Sequence, residues 1–168
     1  MIESRKMIMS HFFDPYPDFA EIGSLLTSEQ NQIQNSVRAL VQKEIQPLIL
    51  EAYRREEFPI SVFSKMGSLG LMGANLQGHG LPGMDSISYG LVMKELERCD
   101  SAVRSAASVQ GSLVMFPIHA FGTEEQKSFW LPKLAKGESI GCFGLSESEG
   151  GSDPGAMKTS VEDRGDHY

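Results

Sequence analysis

Apolar positions along the chain fall into five helix-period stretches and then change rhythm. Residues 1 to 26 show no periodicity and hold Pro15 and Pro17, which predicts an extended arm. Thr27 followed by Gln30 is a capping-box pattern, in which each side chain satisfies a backbone N–H at a helix start. Beyond it Ile33, Val37, Leu40, Val41, Ile45 and Leu48 recur at spacings of three and four, so they share one face of a first helix. Pro47 lacks a donor and predicts a kink, with the helix resuming through Tyr53 and stopping before Pro59. A second helix is predicted over Pro59 to Leu69, with Val62, Phe63 and Met66 inward. Glycines at 67, 70, 73, 78, 80 and 83 then mark a loop of tight turns. Asp85 is a plausible N-cap for a third helix, Ser86 to Cys99, burying Ile87, Leu91, Val92 and Leu96. The fourth, Ser101 to Ala120, is rich in Ala, Ser and Val, which suits a central place where backbones approach closely. Thr123 with Gln126 repeats the capping box and opens a fifth helix, Glu124 to Ala135, with Phe129 and Trp130 as its anchors.

From Ser139 the period shortens. Ser139 to Ser146 is short, apolar and strand-like, Glu147 to Gly155 is a loop, Met157 to Glu162 is a second strand, and Arg164-Gly165-Asp166 is a turn. The expected fold is therefore mostly α: an arm (1–26), a helical bundle (27–137) and the first strands of a β-domain (138–168). Strands that end a chain without partners leave unpaired edges, so the chain is expected to be part of a larger protein.

Composition narrows the function classes. The chain has 168 residues, 40% hydrophobic and 22% charged, which is ordinary for a globular protein and argues against disorder. A net charge of −7 gives no field attractive to nucleic acid or anionic lipid. No stretch approaches the roughly 20 apolar residues that span a bilayer, and the N-terminus has neither a secretory h-region nor a basic transit helix. A bacterial-type cytoplasm is expected, or the mitochondrial matrix for a eukaryotic form already processed. Cys99 and Cys142 have no metal-like spacing and are expected to be buried, reduced thiols. His11, His79, His119 and His167 are scattered, so no metal site is expected.

Two segments could carry chemistry. In Phe143 to Ser152, Ser146, Gly150, Gly151 and Ser152 sit in a loop after the predicted strand. Hydroxyls and close-approaching backbone N–H groups there could hold a phosphate or a polar ring edge; a plain solvent loop has the same composition. The segment matches neither a dinucleotide fingerprint nor a Walker loop. The second segment is Asp100 to Ile118, where Arg104 stands in a helix of small residues. Helical spacing puts Arg104, Ser105 and Ser108 near one face, with Ser112 a turn further on. Such an arginine either bridges to a surface acid or receives an anionic ligand.

Together these motifs resemble the acyl-CoA dehydrogenase family. GCFGLSESEGGSDPGAMKT, residues 141–159, is similar to the family signature in which a strand ending in Thr/Ser-Glu-Pro precedes Gly-Ser-Asp, and GTEEQKSFWLPKLAKGE resembles a second family segment. The likeness runs from about Thr27 to the last residue. It implies an FAD enzyme in which Phe143, Gly144, Leu145, Ser146, Gly151 and Ser152 line the flavin, Leu145 and Ser146 approaching N1 and O2. Ser152 would also touch the acyl-CoA. Ser148 stands where the family has proline, so the turn is less pre-set.

RSAASVQGSLVMFPI and GHGLPGMDSISYGL resemble the glutaryl-CoA dehydrogenase branch. That likeness implies that Arg104, helped by Ser108, receives the distal carboxylate of a glutaryl chain, that Ser105 beside it lines the acyl pocket, and that the reaction is dehydrogenation with loss of CO2 to give crotonyl-CoA. It also implies an electron-transfer flavoprotein as acceptor and a homotetramer when full length. The family's base is a glutamate in a C-terminal helical domain absent from these residues. No catalytic residue is therefore expected in this chain, and Glu147 and Glu149 are expected to be loop acids.

Overall fold

The computed structural model describes residues 18–167, so Pro15, Pro17 and most of the expected arm lie outside it. The part of the arm that is described closes into a 3-10 turn, Ile22–Leu25.

The first helix begins where the capping box places it. Thr27 Oγ1 accepts from the Gln30 N–H, and the Gln30 side chain accepts from the Thr27 N–H. Helix α1 (Ser28–Leu40) runs into a π-turn, Val41–Ile45, and continues as α2 (Gln46–Arg54). The kink expected at Pro47 is thus a slip of the hydrogen-bond ladder just before the proline: the Gln46 N–H reaches back to the Val41 carbonyl. Widening the turn accommodates a residue that cannot donate. Helix α3 (Ser61–Ser68) buries Val62, Phe63 and Met66 as predicted.

The glycine loop contains a small hairpin, β1 (Gln77–Gly78) antiparallel to β2 (Leu81–Pro82). His79 and Gly80 at its tip have φ of 51° and 79°, left-handed values that a tight connection demands. His119 Nε2 lies 2.8 Å from the Gln77 carbonyl and ties the hairpin to a later helix.

Asp85 caps α4 (Ser86–Cys99), its carboxylate accepting from the N–H groups of Ile87 and Ser88. Leu91, Val92 and Leu96 are buried on α4, but in its first turn the buried residue is Ser88, and Ile87 beside it faces outward, 56% exposed. Asp100 caps the next helix. The expected single helix over Ser101 to Ala120 is three pieces: α5 (Ser101–Ser108), a π-turn (Val109–Met115) and α6 (Phe116–Phe121). Here too a proline, Pro117, follows the π-turn, as Pro47 does. Helix α7 (Glu124–Lys136) starts with its predicted capping box at Thr123 and ends at Gly137, φ 71°.

On α7 the buried side chains are Leu131 and Leu134 rather than Phe129 and Trp130, which are 53% and 43% exposed. The two aromatics meet edge to face on the outer side of α7, with Lys133 over the Phe129 ring. The core joins α1, the first π-turn, α3, α4, α5 and α7 through Val37, Ile45, Met66, Leu96, Val103 and Leu131. Inside it sits one carboxylate. Glu95, 2% exposed, accepts from Gln34 Nε2 (2.8 Å) and from Arg38 Nε and Nη2 (3.1 and 2.9 Å), and pairs with Arg98 at 3.2 Å. Burial pushes its carboxyl up, but hydrogen bonds from Arg38 and Gln34 and the charges of both arginines more than offset this, leaving it below the usual carboxylate range.

The strands expected at Ser139 to Ser146 and Met157 to Glu162 do not form. Among the described residues neither segment is paired with a strand, since β1 and β2 pair only with each other, and the only ladder contact in residues 139–167 is an isolated bridge between Glu147 and Gly150.

Candidate functional site

The chain leaves α7 at Gly137 and lies against the second π-turn. A Cβ on Gly141 would come within 2.3 Å of Val114 Cγ1, so only glycine fits this crossing. Beyond it the backbone N–H groups of Phe143, Gly144, Leu145 and Ser146 donate to nothing among the described residues. The Phe143 and Leu145 side chains are 48% and 39% exposed, and neither Gly144 nor Gly151 has any atom near the position of a Cβ. Free donors in sequence, apolar side chains beside them and open glycines suit the polar edge of a flat, largely apolar ring.

The turn that follows is braced by its own acid. The N–H of Glu147 donates to the Gly150 carbonyl and the N–H of Gly150 to that of Glu147. The Glu147 carboxylate accepts from the N–H groups of Lys158 (2.8 Å) and Thr159 (3.0 Å) and from the Thr159 hydroxyl. The Thr159 hydroxyl, then the two amides, hold the Glu147 carboxyl below its usual range. Lys158 also pairs with Glu149. Both acids are therefore engaged in holding the loop to residues 158–159, as expected of loop acids. Gly151 and Ser152 follow on the exposed side of this turn.

The second predicted cluster forms on α5. Arg104 Nη1 lies 3.4 Å from Ser108 Oγ, and that hydroxyl donates to the Ser105 carbonyl at 3.1 Å. Arg104, Ser105 and Ser108 are thus brought together, while Ser112 lies exposed on the π-turn. Arg104 Nε donates to Glu97 Oε2 at 2.7 Å. Hydrogen bonds from Ser101 and then Arg104 hold the Glu97 carboxyl below its usual range. The surface-acid partner considered for Arg104 exists. It occupies the Nε edge, while Nη1 faces Ser108. A guanidinium has five N–H donors, so this pairing leaves capacity for a planar anion.

Cys99 is half-buried, and burial, with Asp100 nearby, pushes its thiol up to about 11. Cys142 is exposed, contrary to expectation, because the segment carrying it forms no sheet. No cluster of His, Cys, Asp or Glu suited to a metal occurs among the described residues, and no helix among them is long and apolar enough to cross a membrane.

The described residues define an α-helical domain that hands its chain through a glycine crossing into an exposed, donor-rich loop. The comparisons say which one. Residues 27–138 match the family model for the acyl-CoA dehydrogenase N-terminal domain, and the chain belongs to the acyl-CoA dehydrogenase family. It is 38% identical over 144 residues to a short-chain specific acyl-CoA dehydrogenase of Clostridium acetobutylicum, a match covering 85% of this chain and 38% of that protein. Its structure is similar to a crystal structure of glutaryl-CoA dehydrogenase from Mycobacterium smegmatis, with a TM-score of 0.84 and 47% identity, covering 89% of this chain and 39% of that one. A glutaryl-CoA dehydrogenase of the same organism, solved with FADH2, gives a TM-score of 0.81 and 42% identity over 84% of this chain and 37% of that one. The chain thus spans about two-fifths of the length of the relatives it matches.

Proposed function

We propose that this chain is the N-terminal part of an FAD-dependent glutaryl-CoA dehydrogenase, residues 27–137 forming its helical domain and 138–168 the beginning of its β-domain. The observation that carries the reading is Arg104 with its Nη1 edge free of Glu97 and turned to Ser108. The likeness to the mycobacterial glutaryl-CoA dehydrogenases supports it.

Each part has a chemical task. The free N–H groups of Phe143 to Ser146, with Gly151 and Ser152, are the groups that would hold the flavin, and Ser152 would also meet the acyl-CoA. With FAD held by these residues, the site would be supplied with a hydride acceptor for the substrate's Cβ. Donors fixed beside the bound ring favour the negative charge that accompanies reduction. Arg104 takes the distal carboxylate of the acyl chain through paired N–H donors, and Ser108 holds the guanidinium in place. That carboxylate then leaves as CO2, yielding crotonyl-CoA. A site built around Arg104 disfavours a plain butyryl chain, because covering the guanidinium would desolvate its remaining N–H donors with no carboxylate to meet them. By the family likeness the α-proton would be taken by a glutamate outside these residues, and the chain alone would not turn over. The complete enzyme would work as a homotetramer in the bacterial cytoplasm or the mitochondrial matrix, passing electrons to an electron-transfer flavoprotein.

A second reading, a short-chain acyl-CoA dehydrogenase acting on monocarboxylic chains, is favoured by the clostridial relative. Arg104→Gln in the full-length enzyme separates the two. The glutaryl reading predicts a loss of about 10²- to 10³-fold in kcat/KM for glutaryl-CoA with butyryl-CoA turnover spared. An equal effect on both substrates would refute it.

A further inference from the structure

Gln110 is 1% exposed and lies in the second π-turn, where it is the buried polar side chain while Ser112 faces outward. Its whole carboxamide is given to the backbone of another segment. Nε2 donates to the carbonyls of Leu134 (3.0 Å) and Ser139 (2.8 Å), and Oε1 accepts from the Gly141 N–H (3.0 Å). The amide orientation follows from its partners, since a flipped group would set its oxygen against two carbonyls and its nitrogen against an N–H. Leu134 is in the last turn of α7, while Ser139 and Gly141 straddle the crossing into the donor-rich loop.

The π-turn itself is wedged from both sides. Val114 leaves room only for a glycine at 141, and a Cβ on Gly111 would come within 2.9 Å of the Gly73 nitrogen. The turn therefore has little freedom to shift, and Gln110 transmits that rigidity to Ser139 and Gly141.

We propose that Gln110 is a positioning residue for the flavin-binding segment: it fixes where and in what direction residues 139–144 leave the helical bundle, so that the donors of Phe143 to Ser146 arrive pre-aimed. The assignment of the loop to flavin rests on the function proposed above; the hold on residues 139–144 does not.

The test needs no flavin, so its failure and that of the functional reading are distinguishable. Amide hydrogen exchange and amide proton shifts are measured by NMR on the 168-residue chain, on Gln110→Met and on Gln110→Glu. Gln110→Met removes all three bonds with little change in volume. The hydrogen-bonded amides of this segment, Ser139 and Gly141, are expected to exchange about tenfold faster or more, the Gly141 proton to move upfield, and α1 and α4 to change by less than about twofold. In Gln110→Glu a buried carboxylate would face two carbonyls, which raises its pKa. Lowering the pH protonates it, restores one donor and the acceptor, and should return Gly141 towards its parent exchange rate and shift, a pH response absent from the parent. Unchanged exchange at Ser139 and Gly141 in both variants would overturn the proposal, as would an increase spread evenly through α1 and α4, which would make Gln110 an ordinary core residue.

Discussion

Replacing Glu95 with Gln removes the one charged side chain that is buried among the described residues. The carboxylate is 2% exposed and receives donors from Gln34, Arg38 and Arg98. A glutamine there offers one acceptor and two donors, so an N–H must face a guanidinium or the Gln34 amide. Removing one partner of a buried ion pair costs roughly 3–5 kcal/mol. The Arg38 and Arg98 side chains are 32% and 18% exposed, so water relieves part of the strain and the lower end applies, about 3 kcal/mol. In a domain of this size that lowers Tm by roughly 10 °C. The pH dependence has a fixed sign. The folded carboxyl is depressed, so its stabilisation is present above the unfolded value near ~4.3 and lost as pH falls through the folded value. Urea denaturation followed by circular dichroism should show the full gap between parent and Glu95→Gln at neutral pH, narrowing below about pH 4. Equal midpoints at neutral pH, or a gap that stays constant into acid, would refute the account of this network.

Other outcomes follow from single contacts. Iodoacetamide at pH 8 should label Cys142 rapidly and Cys99 hardly at all, because Cys142 is exposed and the Cys99 thiol sits near 11; peptide mass spectrometry reads the two sites. Glu147→Ala should free residues 157–161, read as faster exchange at the Lys158 and Thr159 amides with no change in α4. Acidification of the parent through the Glu147 titration should do the same, since a depressed carboxyl loses its contribution as pH falls.

The helices were legible because capping chemistry and apolar period agree over long stretches. Thr27, Asp85 and Thr123 each start the helix that their pattern announces. Burial faces were less so where a residue lay at a helix end or on an outer face, as Ile87, Phe129 and Trp130 show. The two π-turns were not predicted, because one extra residue per turn barely disturbs an i+3/i+4 pattern. Their signal was the proline two residues beyond each, Pro47 and Pro117. Strand character at Ser139 to Ser146 was read from its apolar run, but a strand exists only with a partner, and this segment is paired with none among the described residues. In the candidate site the sequence named Arg104, Ser105 and Ser108 together, and the structure groups them. It did not point to Glu97, seven residues upstream of Arg104, or to Gln110, whose only sign was a lone amide between Val109 and Gly111.

The most direct test of the glutaryl-CoA reading is anaerobic bleaching of the flavin in the full-length protein that carries this chain, with glutaryl-CoA set against butyryl-CoA. The account predicts fast bleaching by glutaryl-CoA, with crotonyl-CoA and CO2 formed in equal amounts, and far slower bleaching by butyryl-CoA. Faster bleaching by butyryl-CoA, or oxidation of glutaryl-CoA without release of CO2, would contradict it.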